Sequence, residues 1–201
     1  MIVYLHSEFR AVALRDGRET KERISRAALT LFVQKGFAET SIRDITSAVG
    51  ITEGALYRHF PGKDQLAWDL FSTNYISFAT ELTRVRIGKS GFSEQVAAMV
   101  EAFCRLFDQD PELFSYLLLV QHNESGKLPD TIKTPVDAVR DCVIDGMENG
   151  DIPKADPEVL TASLLGVVLQ VATARIYGRI EKGLSEMKDD LTAICLRVAQ
   201  A

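Results

Sequence analysis

The chain has 201 residues, 46% of them hydrophobic and 25% charged, which predicts a folded protein with an ample core. Its three cysteines are odd in number and form no CxxC pair, which argues against a disulfide framework and a zinc site and fits a reducing cytosol. The net charge of −5 argues at first against a nucleic-acid partner.

The distribution of charge reverses that interpretation. Residues 15–63 carry nine Lys and Arg against six Asp and Glu, a net charge of +3, whereas residues 64–201 carry 13 against 21, a net charge of −8. A basic amino-terminal module on an acidic body is typical of a DNA-binding protein with a separate non-DNA domain.

The first element of the chain is predicted to follow a leader. Residues 1–14 lack the basic start and clean apolar core of a signal peptide, and we predict that residues 1–16 are a disordered leader, with an upstream extension of the natural start as the alternative. Asp16 and Glu19 resemble a capping box, so helix one is predicted from about Gly17 to Gln34, ending at Gly36.

The next stretch is predicted to form two short helices joined by a tight turn. Ser41 and Asp44 have the spacing of a capping box, and Gly50 supplies the positive φ that ends the first short helix. Thr52 is a good N-cap for the second, which is predicted to run to about Phe60, before Pro61. Two short helices around a glycine turn are typical of a helix-turn-helix, which lays its second helix in the DNA major groove.

The remaining residues are predicted to be helical throughout, so the fold class is all-α with about nine helices. Helix eight, opened by Asp156 and Pro157, has no charge from Val159 to Ala174, which predicts a helix buried on all sides and covered by a second subunit. The other predicted helices are helix four (63–85), helix five (93–109), helix six (111–122), helix seven (135–148) and helix nine (from about 185). We predict a helix-turn-helix domain at 17–62 and a second helical domain at 63–201.

Two segments carry a family resemblance. TSIRDI (40–45) and VGITEGALYRHFPGKDQL (49–66) closely resemble the DNA-binding domain of the TetR/AcrR family of bacterial transcriptional regulators, and the match covers about residues 18–68. The resemblance implies that helices four to nine form a ligand-binding and dimerisation domain. It also implies a homodimeric repressor, paired through helices eight and nine (about 156–199), that a small, largely apolar molecule releases from operator DNA.

The predicted DNA contacts lie in these two segments. The helix N-terminus at Thr52 can hold a phosphate, Gly54 leaves the backbone bare for close approach to bases, and Arg43 can reach a guanine. The family match implies that Tyr57 and His59 contact phosphates; the alternative for both is packing against helix one. The predicted DNA-binding residues are Thr40, Ser41, Arg43, Thr52, Glu53, Gly54, Ala55, Tyr57, His59 and Lys63.

Lys63 is a separate case within that set. A cation at the N-terminus of a helix lies at the unfavourable end of the helix dipole, and a phosphate partner would explain why the residue is there.

Large apolar side chains and a few polar ones are the candidate ligand-binding residues, because the family places its cavity among helices four to eight. The alternative for each apolar residue is ordinary core packing. The predicted set is Trp68, Phe71, Tyr75, Phe78, Met99, Phe103, Phe107, Phe114, Gln121, His122, Gln170, Thr173 and Tyr177.

The sequence leaves other functions open. An activator or a ligand-independent regulator of the same family has the same sequence features, and an all-α small-molecule-binding protein or an enzyme is a further alternative. No catalytic constellation, P-loop, or metal-ligand spacing is found, so we predict no enzymatic activity, no cofactor and no metal. The expected partners are double-stranded operator DNA, a second copy of the chain and a small-molecule effector, with no membrane and a cytoplasmic location.

Overall fold

The computed structural model describes the backbone of residues 3–200 and, within that range, the side chains of residues 17–121 and 124–200. The described residues form nine α-helices and no β-strand, so the predicted all-α fold is confirmed. The helices are α1 (Val3–Lys35), α2 (Ile42–Val49), α3 (Glu53–Tyr57), α4 (Lys63–Arg86), α5 (Gly91–Gln109), α6 (Pro111–Glu124), α7 (Pro135–Glu148), α8 (Pro157–Ile176) and α9 (Lys188–Ala199). A short 3₁₀ turn, Ser125–Lys127, follows α6, and a second one, Leu184–Met187, precedes α9.

Helix α1 is longer than predicted. It begins at Val3 and passes through Gly17, so the prediction of a disordered leader is wrong for residues 3–16. No proline interrupts this stretch, and one glycine inside a helix costs only about 1 kcal/mol relative to alanine, which is too little to end it. The part of the leader prediction that concerns Met1 and Ile2 lies outside the described residues.

Helix α3 is shorter than predicted, ending at Tyr57 instead of near Phe60. The amide of His59 donates to the carbonyl of Leu56 at 2.8 Å, which is the tighter i to i+3 pattern of a 3₁₀ turn. Proline disfavours the helical conformation only in the residue before it, so Pro61 accounts for Phe60 but not for Arg58 and His59, which form this turn.

The chain divides into two compact units, Met1–Phe71 and Ser72–Ala201. This division falls inside α4 and not at its first residue, where the sequence places the domain boundary. The carboxylate of Asp69 in α4 lies 3.5 Å from the ammonium of Lys21 in α1, which joins the first turns of α4 to the amino-terminal unit.

The amino-terminal unit has a small apolar core. Helix α2 packs against both α1 and α3. The core residues that are fully or almost fully buried are Ile24, Ala28, Leu29, Phe32, Ile45, Leu56, Phe60, Leu66 and Phe71.

The carboxy-terminal unit is built around α5. This helix packs against α7 and α9, while α8 packs against both α7 and α9. Helices α5 and α7 approach closely at Gly146, where an added Cβ would lie 2.6 Å from the ring of Phe92. Only glycine fits there without a shift of the ring, so this contact fixes how α7 crosses α5.

Helix α8 is not buried on all sides by its own chain, and its predicted burial by a second subunit stays a prediction. Leu160, Leu164 and Val168 face the core, but Val159 is 64% exposed and Gly166 is also exposed. In residues 3–200, α8 is the one helix whose length and composition alone would allow it to cross a membrane.

Candidate DNA-binding surface and ligand cavity

The first part of the site is the turn between α2 and α3, and local chemistry sets its geometry. The hydroxyl of Ser41 accepts a hydrogen bond from the amide of Asp44 at 3.1 Å, and the Asp44 carboxylate accepts from the amide of Ser41 at 2.9 Å. Gly50 ends α2 in the left-handed conformation, with φ of 75°. The predicted capping box and glycine turn are therefore present.

The second short helix presents a narrow exposed side. The hydroxyl of Thr52 accepts from the amide of Ala55 at 3.2 Å and so caps α3. Leu56 is fully buried, whereas Glu53 and Gly54 are exposed and Tyr57 is 50% exposed. A Cβ added at Gly54 would meet nothing within 4 Å. The backbone of α3 is thus open to a large partner at this point.

Two of the predicted DNA contacts lie next to each other across the turn. The side chain of Arg43 in α2 is 86% exposed, and its Nε lies 3.8 Å from a carboxylate oxygen of Glu53 in α3. An exposed ion pair of this length contributes at most about 1 kcal/mol to folding, so the Arg43 guanidinium is free to leave it for a phosphate or a base edge.

His59 has a more enclosed position than Tyr57. Its ring is half-buried, and its Cε1 would lie 4.0 Å from a Cβ placed on Gly17 of α1. His59 therefore packs near α1, in accord with the packing alternative, while Tyr57 remains accessible.

Thr40 does not lie on the exposed surface. It is 1% exposed, and its hydroxyl donates to the carbonyls of Gly36 at 2.8 Å and Leu31 at 3.2 Å. Its side chain thus holds the end of α1, and in this geometry only its backbone is near the exposed turn.

The side chain of Lys63 also forms hydrogen bonds within the protein. Its ammonium donates to the carbonyl of Phe37 at 2.7 Å and to that of Thr40 at 2.8 Å, with a longer contact of 3.4 Å to Ala38. Arg23 also binds a backbone carbonyl, which the sequence pattern did not indicate. Its guanidinium donates to the carbonyl of Val49, the last residue of α2, at 2.7 Å.

The second part of the site is an apolar cavity within the carboxy-terminal unit. Its volume is about 90 Å³, and none of its lining residues in the described part of the chain is charged. Helices α4 to α9 all contribute to its wall. The lining residues are Tyr75, Phe78, Leu82, Val96, Met99, Val100, Phe103, Phe114, Leu117, Leu118, Gln121, Pro135, Val136, Val139, Cys142, Leu164, Leu165, Val168, Leu169 and Cys195.

Aromatic rings form one wall of this cavity. The rings of Phe78 and Phe103 each contact that of Phe114, with centroids 5.3 Å and 5.2 Å apart in edge-to-face geometry, which is a favourable arrangement for aromatic pairs. Burial raises the pKa of the Cys142 and Cys195 thiols to about 11, so both are neutral at ordinary pH. The wall is therefore apolar and uncharged.

The structure brings together six of the predicted ligand-binding residues in this cavity, namely Tyr75, Phe78, Met99, Phe103, Phe114 and Gln121. The lining residues absent from the predicted set are mostly aliphatic, and they include Leu82, Val96, Leu118 and Val168. Their only signal in the sequence is helical apolar spacing, which the cavity wall and the solid core share.

The other predicted ligand-binding residues lie elsewhere. Trp68 and Phe71 belong to the amino-terminal unit, where their rings contact each other with centroids 6.1 Å apart. Gln170 is exposed, and Tyr177 is 71% exposed. The side chain of His122 lies outside the described residues.

Phe107 and Thr173, the last two predicted ligand-binding residues, lie in α5 and α8 but do not line the cavity. The ring of Phe107 packs against that of Phe114 in a tilted arrangement, with centroids 5.7 Å apart. The hydroxyl of Thr173 donates to the carbonyl of Leu169 at 2.8 Å, a bond within α8 itself. Among residues with described side chains, no group of three or more His, Cys, Asp or Glu could hold a metal ion.

Comparison with known proteins locates the similarity in both units. Residues 24–69 match the family described as bacterial regulatory proteins, tetR family. The chain is 34% identical over 110 residues (52% of this chain) to the uncharacterized HTH-type transcriptional regulator YerO of Bacillus subtilis. It is 40% identical over 62 residues (29% of this chain) to the HTH-type transcriptional regulator AcrR of Shigella flexneri. These matches span 36% and 29% of the two relatives, about a third of their length.

Similarity to solved structures extends over most of the chain. The transcriptional regulator FadR from Bacillus subtilis, solved in complex with stearoyl-CoA, superposes with a TM-score of 0.73 over 87% of this chain and 96% of its own, at 16% identity. At that identity the superposition shows a common fold. The relatives named here are transcriptional regulators and not enzymes.

Proposed function

This chain belongs to the TetR family of bacterial regulatory proteins, and from that premise we propose that it is a DNA-binding transcriptional repressor that acts as a homodimer. In this proposal, a small apolar ligand enters the carboxy-terminal unit and releases the protein from its operator. A regulator bound to bacterial DNA would act in the cytoplasm.

The observation that carries the DNA-binding proposal is the exposed side of α3. Its inner side is anchored by the buried Leu56, while Gly54 and Tyr57 face outward beside Arg43. A short helix capped by Thr52 and free of bulky side chains at Gly54 is suited to the major groove, where its backbone can approach base edges. Phosphate contacts would come from Ser41, Thr52 and Tyr57, with Ala55 and His59 at the edge of the surface.

The cavity supports an apolar ligand. It is lined by aromatic and aliphatic side chains, and Gln121 supplies an amide that could orient a polar end. Its volume of about 90 Å³ is small beside the roughly 300–1,000 Å³ of sites for drug-sized ligands. A ligand would therefore have to widen it, and we propose an acyl chain as the chemical class, in line with the stearoyl-CoA bound by the related fold.

Helix α4 offers a route from the ligand to DNA. It is one continuous helix from Lys63 to Arg86, and Tyr75, Phe78 and Leu82 on it line the cavity. A ligand that widens the cavity would displace these side chains and with them the helix that follows α3. Binding that favours the displaced state would lower operator affinity by the same coupling free energy.

The exposed side of α8 supports the homodimer. Val159 and Gly166 lie two turns apart on it, followed by the uncharged Gln170, in a helix with no charge between Val159 and Ala174. Small and apolar residues exposed in one chain are typical of a surface covered by a partner. Two subunits joined there would present their α3 helices together, as successive major grooves about 34 Å apart require.

The test uses the full chain and a labelled duplex from the region upstream of its own gene. We expect the duplex to bind a dimer and to be released when stearoyl-CoA is added. Equal binding of the duplex by ligand-saturated protein would refute release, and failure to prefer this duplex over a shuffled one would refute the DNA-binding role. Sedimentation of the free protein as a monomer would refute the homodimer.

A further inference from the structure

A polar network joins three of the helices that line the apolar cavity. At the end of α4, one terminal nitrogen of Arg86 donates to the carboxylate of Asp145 in α7 at 2.7 Å and to the side-chain oxygen of Gln95 in α5 at 3.0 Å. The side chain of Arg86 is only 15% exposed. Its Nε atom is buried and has no hydrogen-bond partner among the residues that the structure describes. A charged group therefore lies largely inside the carboxy-terminal unit, with one of its donors unpaired.

This network lies at a closed end of the cavity. Within about one helical turn of each of its members lies a residue of the cavity wall, namely Leu82 in α4, Val96 in α5 and Cys142 in α7, and all three are buried. Burial raises the pKa of the Cys142 thiol to about 11, and the positive charge of Arg86 opposes that rise because it lies near the sulfur. Since Arg86 does not itself line the cavity, it lies behind this part of the wall.

The other end of the cavity reaches the protein surface. Val136, in the first turn of α7, is 40% exposed, and it is the one exposed residue among the lining residues that the structure describes. On α4 the same end is marked by Tyr75, since burial, with the nearby Asp137 carboxylate, raises the pKa of its hydroxyl. From Val136 to Cys142, α7 rises by roughly 9 Å along its axis. A chain that enters beside Val136 therefore runs along α4 and α7 towards the closed end.

We propose that Arg86 is a specificity-determining residue, which limits the length of apolar chain that the cavity accepts. This inference rests on the proposed binding of an acyl chain. A chain that reaches the closed end can extend further only by moving Leu82, Val96 or Cys142 against the network. The hydrogen bonds of Arg86 to α5 and α7 oppose that movement, so the rest of a longer chain stays outside, beside Val136.

The charge of Arg86 opposes a longer chain as well as its hydrogen bonds. Each CH₂ group that enters an apolar space raises affinity about fourfold. A CH₂ group brought against a guanidinium gains much less, because it removes water from a charge and offers no acceptor to the buried Nε–H. Affinity should therefore rise with chain length up to a limit and then level off.

The experiment measures the affinity of the full chain for straight-chain alcohols from butanol to dodecanol by isothermal titration calorimetry. These probes carry no charge and differ only in chain length. Arg86→Met removes the charge and the hydrogen bonds but keeps an unbranched, flexible side chain. Arg84→Met is the matched control, because it removes the same charge from α4 at a residue whose side chain is 66% exposed and paired with Glu81.

We expect the affinity of the wild type and of Arg84→Met to rise about fourfold per CH₂ group up to one limiting length and to level off beyond it. In Arg86→Met the rise should continue past that length. The same limit in Arg86→Met, an equal lengthening in Arg84→Met, or no limit in the wild type up to dodecanol would overturn the proposal. A network that only stabilised the fold would lower the melting temperature of Arg86→Met without moving the limit.

A second variant, Arg86→Gln, decides the matter if Arg86→Met does not fold. It also removes the charge but keeps an amide donor, and we expect a limiting length greater than that of the wild type. An unchanged limit would contradict the proposal. If no alcohol binds the wild type, the proposed apolar ligand fails first and the inference with it; if the wild type binds alcohols, the variants judge Arg86 alone.

Discussion

The Nε atom of Arg43 lies 3.8 Å from a carboxylate oxygen of Glu53, so opposite charges face each other across the turn between α2 and α3. In the proposed DNA-binding surface, an acidic group beside this exposed cation repels phosphates and competes for the guanidinium. We therefore expect the pair to limit how strongly the surface attracts DNA regardless of sequence.

Replacing Glu53 with Gln should raise the affinity for any duplex. The substitution removes a negative charge near the phosphates and frees Arg43, and we expect a gain of several-fold at low salt that shrinks as salt is added. Glu148→Gln, an equal change of charge at an exposed position of the carboxy-terminal unit, is the matched control and should have little effect. Fluorescence anisotropy with a shuffled duplex measures both, and an affinity of Glu53→Gln equal to or below that of the wild type would contradict the prediction.

The capping box of α2 makes stability depend on pH in the acid range. Hydrogen bonds from the Ser41 amide and hydroxyl, with Lys35 nearby, lower the pKa of Asp44 from 3.8 to about 2. Because the folded pKa is below the unfolded one, this stabilisation is complete above about pH 4 and is lost as the pH falls towards 2. Asp44→Asn should be less stable than the wild type at pH 7 and equally stable near pH 2, as measured by urea unfolding at each pH.

Ser41→Ala tests the other half of the same capping box. It should lower the free energy of unfolding by about 1 kcal/mol at pH 7, the usual cost of losing a serine N-cap. Ser47→Ala, at an exposed position within α2, should be neutral or slightly stabilising. Equal costs for the two substitutions would show that the capping bonds contribute nothing.

Gly54 should show opposite effects on folding and on DNA binding. An alanine Cβ there meets nothing within 4 Å, and alanine favours a helix by up to about 1 kcal/mol over glycine, so Gly54→Ala should raise the stability of the free protein. The added methyl group would keep the α3 backbone from the base edges and lower duplex affinity. Gly126→Ala, equally unobstructed but in the carboxy-terminal unit, is the control; unchanged affinity in Gly54→Ala would place the DNA elsewhere.

Neighbouring residues of α6 provide a matched test of the cavity. Leu118 lines it, whereas Leu119 is 66% exposed. Leu118→Trp should fill the space of about 90 Å³ and prevent release from DNA by stearoyl-CoA while leaving duplex affinity intact. Leu119→Trp should respond like the wild type in the same titration. Normal release from Leu118→Trp would mean that the ligand binds outside this cavity.

Local chemistry explains which features the sequence predicted correctly. The bonds of Ser41 with Asp44, the left-handed turn at Gly50 and the cap at Thr52 each depend on residues within four positions, so their spacing was sufficient. The continuation of α1 through Gly17 was missed because a single glycine is too weak a break. Local spacing therefore predicts caps and turns better than it predicts where a long helix starts.

Contacts distant in sequence explain what was missed. The Lys63 ammonium donates to carbonyls more than twenty residues away, and Trp68 and Phe71 lie on the other side of the division within α4 from the cavity. Helical spacing indicates that Leu118 and Val168 face inward. Whether such a residue packs in the core or lines the cavity depends on how the helices pack together, which the spacing does not show.

The salt dependence of binding by wild type and Arg43→Met tests most directly whether the surface formed by α2 and α3 binds duplex DNA. We expect wild-type affinity for the upstream duplex to fall steeply with salt, and Arg43→Met to bind more weakly, with a slope lower by about 0.9 if Arg43 neutralises one phosphate. Wild-type binding that does not change with salt, or Arg43→Met binding with the wild-type affinity and slope, would contradict it.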